Sequence, residues 1–252
     1  MAQTVAETPS LITSVRNFWK ERRSQQGFFM ATAELLAGIW EFIRDSTPAR
    51  LRSRFGDADY DWDYRVNTTS GAVGWRDRLL GVLHSPYQPT EPGLFHEMIE
   101  RLQQNGLDLS EFTFIDLGSG KGRTLLMASD YPFRRIVGVE LLPSLHRIAQ
   151  ENLAHYQNRS QQCGAIQALC GDATAFVFPE EPILLYLFNP FPESGLRKTI
   201  LNLESSLQSH PRAAYVLYHN PLLEPVLSEQ GLWKKIAGTH QYSIFTAVRD
   251  QA

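Results

Sequence analysis

Apolar positions near the start of the chain recur at steps of three and four: Phe29, Ala33, Leu36, Ala37, Trp40 and Ile43 share one helical face. The spacing predicts a helix over 11–46. Ser46-Thr47-Pro48 closes it, because the residue before a proline avoids helical geometry. Residues 57–92 break the period. "DADYDWDYRVNTTSGAVGW" and "HSPYQPTEPG" mix turn formers with Tyr60, Trp62, Tyr64, Trp75 and Tyr87. This pattern predicts an ordered loop region whose aromatics are buried or cover a ligand. Helical spacing resumes near Gly93 with Leu94, Met98 and Leu102, and Asn105-Gly106 is a stop signal.

From there short apolar runs alternate with amphipathic stretches. The runs are 112–117, 135–140, 165–172, 182–190 and 213–221. Helical stretches follow four of them, at "GRTLLMASD", 143–156, "GLRKTILNLESSL" and "LLEPVLSEQG". Alternation of this kind predicts a mostly parallel sheet with helices on both faces. Two further runs, "LWKKIAG" and "QYSIFTAV", are joined only by residues around Thr239-His240. So short a connection forces an antiparallel hairpin, since a parallel pair needs a long crossover. The sum is a seven-stranded α/β sheet with a C-terminal antiparallel β-hairpin and an N-terminal helical segment. The chain divides into an N-terminal helical and loop segment, 1–91, expected to form a lid and substrate wall, and a sheet domain, 92–252.

Composition adds exclusions. With 24 Lys and Arg against 27 Asp and Glu, the net charge is −3, which gives no electrostatic footprint for duplex nucleic acid. The first 56 residues hold eight basic and five acidic side chains, read as a solvated helix face before a docking surface. Cys163 and Cys170 have the wrong spacing for a metal site and make no disulfide framework. The start lacks the basic and apolar blocks of a signal peptide, and the apolar stretch 28–43 is too short for a membrane span and carries Glu34 and Glu41. The expectation is a soluble, cytoplasmic protein without metal or membrane partner. Its oligomeric state is not legible.

The candidate chemistry begins at "FIDLGSGKGR", 114–123. Three glycines, Gly118, Gly120 and Gly122, follow a buried run, so something comes very close to this backbone: a dinucleotide, a nucleoside triphosphate or another adenosine-bearing cofactor. A Walker loop would need Ser or Thr after the Gly-Lys pair, and Lys121 is followed by Gly122. A dinucleotide loop would read G-x-G-x-x-G, whereas this one is G-x-G-x-G. The stretch resembles motif I of class I S-adenosylmethionine-dependent methyltransferases, which have a Rossmann-like sheet. That resemblance covers about residues 92–250. It implies S-adenosyl-L-methionine as cofactor, bound by Asp116, Gly118, Ser119 and Gly120. Glu140, ending the second strand, would then take the ribose hydroxyls. Asp172 and Ala173, after the third, would take the adenine.

"LFNPF" ends the fourth strand and resembles the Asn-Pro-Pro-Tyr/Phe motif of amino-methyltransferases, with one proline fewer. The resemblance implies that Asn189, Pro190 and Phe191 receive an acceptor nitrogen. "HSPYQPTEP" resembles the loop that closes on the cofactor in non-SET histone lysine methyltransferases and related bacterial proteins. Tyr87 would lie on the catalytic side of that loop, with Thr90 and Glu91 on the cofactor side. Tyr218 and Trp75 are further candidate walls, and His84 and His219 candidate bases. Lys121 and Arg123 depart from the wider pattern; they read as caps, as an anion site or as solvated charges. The expected activity is methyl transfer to a nitrogen of a protein side chain or small molecule. The alternatives are a non-enzymatic cofactor-binding scaffold and an NAD(P)-dependent oxidoreductase.

Overall fold

The computed structural model describes residues 16, 19–20, 23–24, 27–30, 32, 58–69, 88–229 and 231–248. Residues 28–30 are helical with exposed side chains, and the rest of the helix expected over 11–46 lies largely outside the described residues. Tyr87, Trp75 and His84 lie outside them too.

In chain order the elements are α1 (Ala58–Tyr64), α2 (Pro92–Gln104), β1 (Thr113–Leu117), α3 (Arg123–Ala128), β2 (Arg135–Glu140), α4 (Pro143–His155), β3 (Ile166–Cys170), β4 (Ile183–Leu187), α5 (Glu193–Ser209), β5 (Ala214–His219), α6 (Pro225–Ser228), β6 (Trp233–Gly238) and β7 (Tyr242–Ala247). The strands form one sheet in the order β3-β2-β1-β4-β5-β7-β6. The first five are parallel, and β7 runs antiparallel to both β5 and β6. The expected α/β sheet and terminal hairpin are therefore present. β7 inserts between β5 and β6.

Successive residues of the buried strands point to opposite faces. Phe114, Ile136, Leu184, Tyr186, Leu217 and Ile244 pack under α2 and α3, against Phe95, Met98, Ile99 and Leu125. Ile115, Leu117, Val137, Leu185, Val216 and Phe245 pack under α5 and α6, against Leu196, Ile200, Leu203 and Leu227. α2 and α5 each bury one face, α3 is buried all round, and the central strands are dry on both sides. The outermost β6 keeps Lys234 and Lys235 exposed, which discourages pairing with another chain.

One loop expectation is overturned. Residues 58–64 form α1 where a loop was predicted. The turn-forming aspartates mask a helical pair, Tyr60 and Tyr64, whose rings lie 4.7 Å apart. Tyr64 in turn lies 5.4 Å from Tyr156 after α4, so tertiary packing outweighs local preference. Trp62, on the other side of α1, is 85% exposed, so of the two expectations for it the protein does not meet burial.

Candidate functional site

The carboxyl ends of β1, β2, β3 and β4 converge on one edge of the sheet, where open α/β folds hold their ligands. The glycine turn leaves β1 there. Gly118, Gly120 and Gly122 all have positive φ, at 88°, 54° and 83°. Two of them lack a side chain because the protein itself needs the room. A Cβ on Gly118 would stand 2.6 Å from Cβ of Pro190, and one on Gly122 would stand 3.2 Å from Cβ of Ala149 in α4.

Glu140 lies beneath this turn. Its Oε2 accepts from the Gly120 amide and its Oε1 from the Leu142 amide, each at 2.8 Å. A buried carboxylate oriented by two backbone donors suits a ribose diol, since each oxygen has a further lone pair. Asp116 is 3% exposed and accepts from the Thr124 hydroxyl. Burial pushes its carboxyl up to about 7; the Thr124 bond opposes this and the Glu140 charge adds to it. A buried carboxyl of this kind favours a cationic partner such as an ammonium group. Ser119 Oγ is buried without a hydrogen-bond partner among the described residues, and Gly138 of β2 makes room for it: a Cβ there would stand 2.8 Å from this oxygen. Asp172 caps the short turn 173–175, its Oδ1 accepting from the Thr174 amide at 2.8 Å, with Ala173 buried behind it. These donors and acceptors fit an adenosyl cofactor with an amino-acid end.

Thr90 and Glu91 precede α2, and Glu91 occupies its N-cap position. The Thr90 hydroxyl is bonded to Tyr186 of β4 at 2.8 Å, and its carbonyl accepts from Arg123 Nη1 at 3.4 Å. Thr90 therefore sits against the far end of the glycine turn.

Across the edge, β4 and β5 end alike. Phe188-Asn189-Pro190 and His219-Asn220-Pro221 leave adjacent parallel strands in step. The Phe188 and His219 rings stack at 3.8 Å and 24°. Asn189 Oδ1 accepts from the Tyr218 hydroxyl at 2.9 Å, while its Nδ2 donates to the Asn220 carbonyl at 2.6 Å. The amide is fixed from both ends. Phe191 is half-buried, packed beside α5 near Gly195. Burial pushes Tyr218 up to about 12 and His219 down to about 4, so both stay neutral at neutral pH.

Lys121 and Arg123 are neither solvated nor free to hold an anion. Both are buried, at 0% and 2% exposure. Lys121 Nζ donates to Asn67 Oδ1 at 2.9 Å and to the Thr69 carbonyl at 2.5 Å. Arg123 Nε donates to Thr68 Oγ1 at 2.6 Å, Nη2 lies 3.4 Å from Asp61 Oδ1, and the guanidinium stands 4.9 Å over the Tyr60 ring. Asn152 of α4 completes the clasp with bonds to Asn67 and to the Lys121 carbonyl. The partners Asp61, Asn67, Thr68 and Thr69 sit more than 50 residues upstream, so nothing local in "GSGKGR" announced them. The repeated Asn-Pro after β4 and β5 is the one signal of this pairing in the sequence.

Among the described residues no group of three or more His, Cys, Asp or Glu is placed to hold a metal, and no helix is long and apolar enough to cross a membrane.

The model of the family described as "Histone methylation protein DOT1" matches residues 86–173. That stretch carries Thr90, the glycine turn, Glu140 and Asp172, and it ends before β4. No curated protein matches the chain. Several solved structures are similar to part of the chain. A Methanococcus maripaludis protein, proposed to be an S-adenosylmethionine-dependent methyltransferase, is 19% identical over 64% of this chain and 86% of its own, with a TM-score of 0.46. An RNA methyltransferase from Salinibacter ruber, in complex with S-adenosyl-L-homocysteine, is 18% identical over 64% and 92%, with a TM-score of 0.42. Ribosomal protein L11 methylase from Lactobacillus delbrueckii is 18% identical over 63% and 77%, also at 0.42. The strand order, the glycine turn with its strand-end acids, and the matched stretch define the class: an S-adenosylmethionine-dependent methyltransferase of class I, with S-adenosylmethionine as its cofactor.

Proposed function

We propose that this methyltransferase acts on a nitrogen of a protein side chain or small molecule, received at Asn189, Pro190 and Phe191. One observation supports this reading most: Pro190 rests on Gly118, where a Cβ would stand 2.6 Å away. The loop after β4 and the cofactor turn are thus one packed unit. A group held at that loop is held beside the cofactor.

Bound S-adenosylmethionine supplies a methyl group already activated by its sulfonium, so the protein's part is positioning and exclusion of water. The Asn189 Oδ1 keeps a lone pair beside its Tyr218 bond, and the Pro190 carbonyl is a second acceptor; together they orient an N–H pair. Phe188 and Phe191 supply apolar surroundings. An alkylamine, with a solution pKa of about 10.4, sheds its proton more readily when desolvated there. The matched family is described by histone methylation, but its match ends before this loop, so the acceptor is read from the loop alone. In this reading residues 1–91, with Tyr87, supply a lid and one wall, Thr90 and Glu91 the strap over the cofactor, and Asp172 with Ala173 the adenine contacts. Two cysteines, Cys163 and Cys170, with no disulfide framework suit a reducing compartment, so we place the activity in the cytoplasm.

The test is transfer from methyl-labelled S-adenosylmethionine into protein and metabolite extracts. Label recovered as N-methyl groups after acid hydrolysis, lost with Asn189→Ala while S-adenosylhomocysteine still binds, supports the proposal. Label released as methanol by mild base means an oxygen acceptor and overturns it.

A further inference from the structure

A buried chain of hydrogen bonds joins the two halves of the site. The Thr90 hydroxyl meets Tyr186 Oη at 2.8 Å, and Tyr186 Oη meets His219 Nδ1 at 2.8 Å. Exposures of 3%, 1% and 8% leave the three groups little water to exchange with. One end lies against the cofactor turn, through the Thr90 carbonyl and Arg123. The other lies at the acceptor rim, where His219 stacks on Phe188, the neighbour of Asn189. His219 Nε2 makes no hydrogen bond among the described residues.

The middle link has one proton. A phenol that donates to one neighbour must accept from the other. If His219 Nδ1 is bare, Tyr186 donates to it and takes the Thr90 proton, so Thr90 has no proton for anything else. If Nδ1 carries the proton, it donates to Tyr186, Tyr186 donates to Thr90, and the Thr90 hydroxyl is free to donate outward. Burial keeps the phenol and the imidazole neutral: Tyr186, facing the Asp116 carboxyl from β1, is pushed well above its ordinary value, and His219 is pushed down. The chain therefore has two neutral states, which differ in the direction of the hydrogen bonds and in the tautomer of the ring.

We propose that Tyr186 is a positioning residue through which cofactor binding sets the tautomer of His219. A carboxylate at the amino-acid end of the cofactor calls for a donor, and Thr90 can serve only in the second state. That state places the imidazole proton on Nδ1 and leaves Nε2 bare at the acceptor rim, ready to accept an N–H. The change is a tautomer shift within one neutral ring, one proton leaving Nε2 and one arriving at Nδ1. The last step, acceptance of an N–H, rests on the nitrogen-acceptor reading; the tautomer shift rests only on the cofactor.

The full chain labelled with nitrogen-15 in its histidines tests this, by two-bond nitrogen–proton correlation with and without S-adenosylhomocysteine. Loss of one imidazole pattern in His219→Gln assigns the ring. The expected result is a proton on Nδ1 and a bare Nε2 in the bound protein, and loss of that preference in bound Tyr186→Phe. Calorimetry should show weaker binding of S-adenosylhomocysteine to that variant by about three- to tenfold, the worth of one hydrogen bond. Thr90→Val, outside the sheet core, should act the same way and serves if Tyr186→Phe does not fold. A proton on Nε2 in the bound wild type, or an unchanged tautomer in both variants, overturns the proposal. An oxygen acceptor in the labelling experiment would overturn the proposed function and leave the tautomer result standing.

Discussion

Asn189 and Asn220 share one backbone conformation at the ends of β4 and β5, with φ of 45° and 48°, each directly before a proline. Left-handed backbone is uncommon outside glycine, and a following proline favours extended geometry instead. Two such residues side by side mean that the surrounding bonds hold them there. Asn189→Gly should keep the loop path and lose the Tyr218 and Asn220 bonds, at a cost of about 1–2 kcal/mol. Asn189→Ala should cost about 1 kcal/mol more, because alanine resists this conformation. Denaturant unfolding of the two variants checks the ordering; equal losses would mean that the backbone carries no strain.

Gly118 offers a sharper case. Alanine there meets Pro190 and must also adopt a φ of 88°. The expected loss is about 2–4 kcal/mol, the sum of backbone strain and displaced packing. Because the contact joins the glycine turn to the loop after β4, where the proposed function seats the acceptor, Gly118→Ala should weaken S-adenosylhomocysteine binding as well. Calorimetry beside thermal unfolding separates the two effects.

Asp116 gives stability a pH slope. Its folded value of about 7 exceeds the ordinary 3.8, so between these limits the folded protein binds more protons than the unfolded chain. The contribution is fully present below pH 4 and is lost as the pH rises through 7. Asp116→Asn removes this dependence and should make the ligand-free protein more stable at pH 8, by about 2–4 kcal/mol. The same variant should bind cofactor poorly. Unfolding curves at pH 5 and pH 8 check the sign.

The clasp under the turn predicts an effect far from the cofactor. Asp61 accepts from the Thr68 and Thr69 amides at 2.7 and 2.8 Å and pairs with buried Arg123. Asp61→Asn leaves one acceptor oxygen and no charge for the guanidinium. A loss of about 1–3 kcal/mol in urea is expected, with weaker S-adenosylhomocysteine binding, since Lys121 and Arg123 flank Gly122. Unchanged affinity would mean that the turn holds its shape without the clasp.

These relationships differ in how far the sequence betrays them. The strands were legible because dry parallel strands are continuous apolar runs, as in "ILLYL" and "RIVGVE". The terminal hairpin was legible because its connection is too short for anything else. The position of β7 was not, because a hairpin can dock on a sheet by either strand. α1 was hidden because Asp59, Asp61 and Asp63 read as turn formers, while the packing that makes the helix comes from Tyr156, nearly a hundred residues on. The strand-end acids could be placed by spacing. The Thr90–Tyr186–His219 chain could not, since its members are far apart and each is unremarkable alone.

β7 also sets an order on synthesis. β6 is made first but, among the described residues, pairs only with β7, and β7 pairs with both β5 and β6. While the chain emerges from the ribosome, the free edge of β5 must wait until Tyr242–Ala247 has appeared. Until then a long, apolar strand edge is open to any other extended segment, a hazard for which chaperones are suited. A nascent chain arrested before residue 242 should engage them, and one released after residue 248 should not.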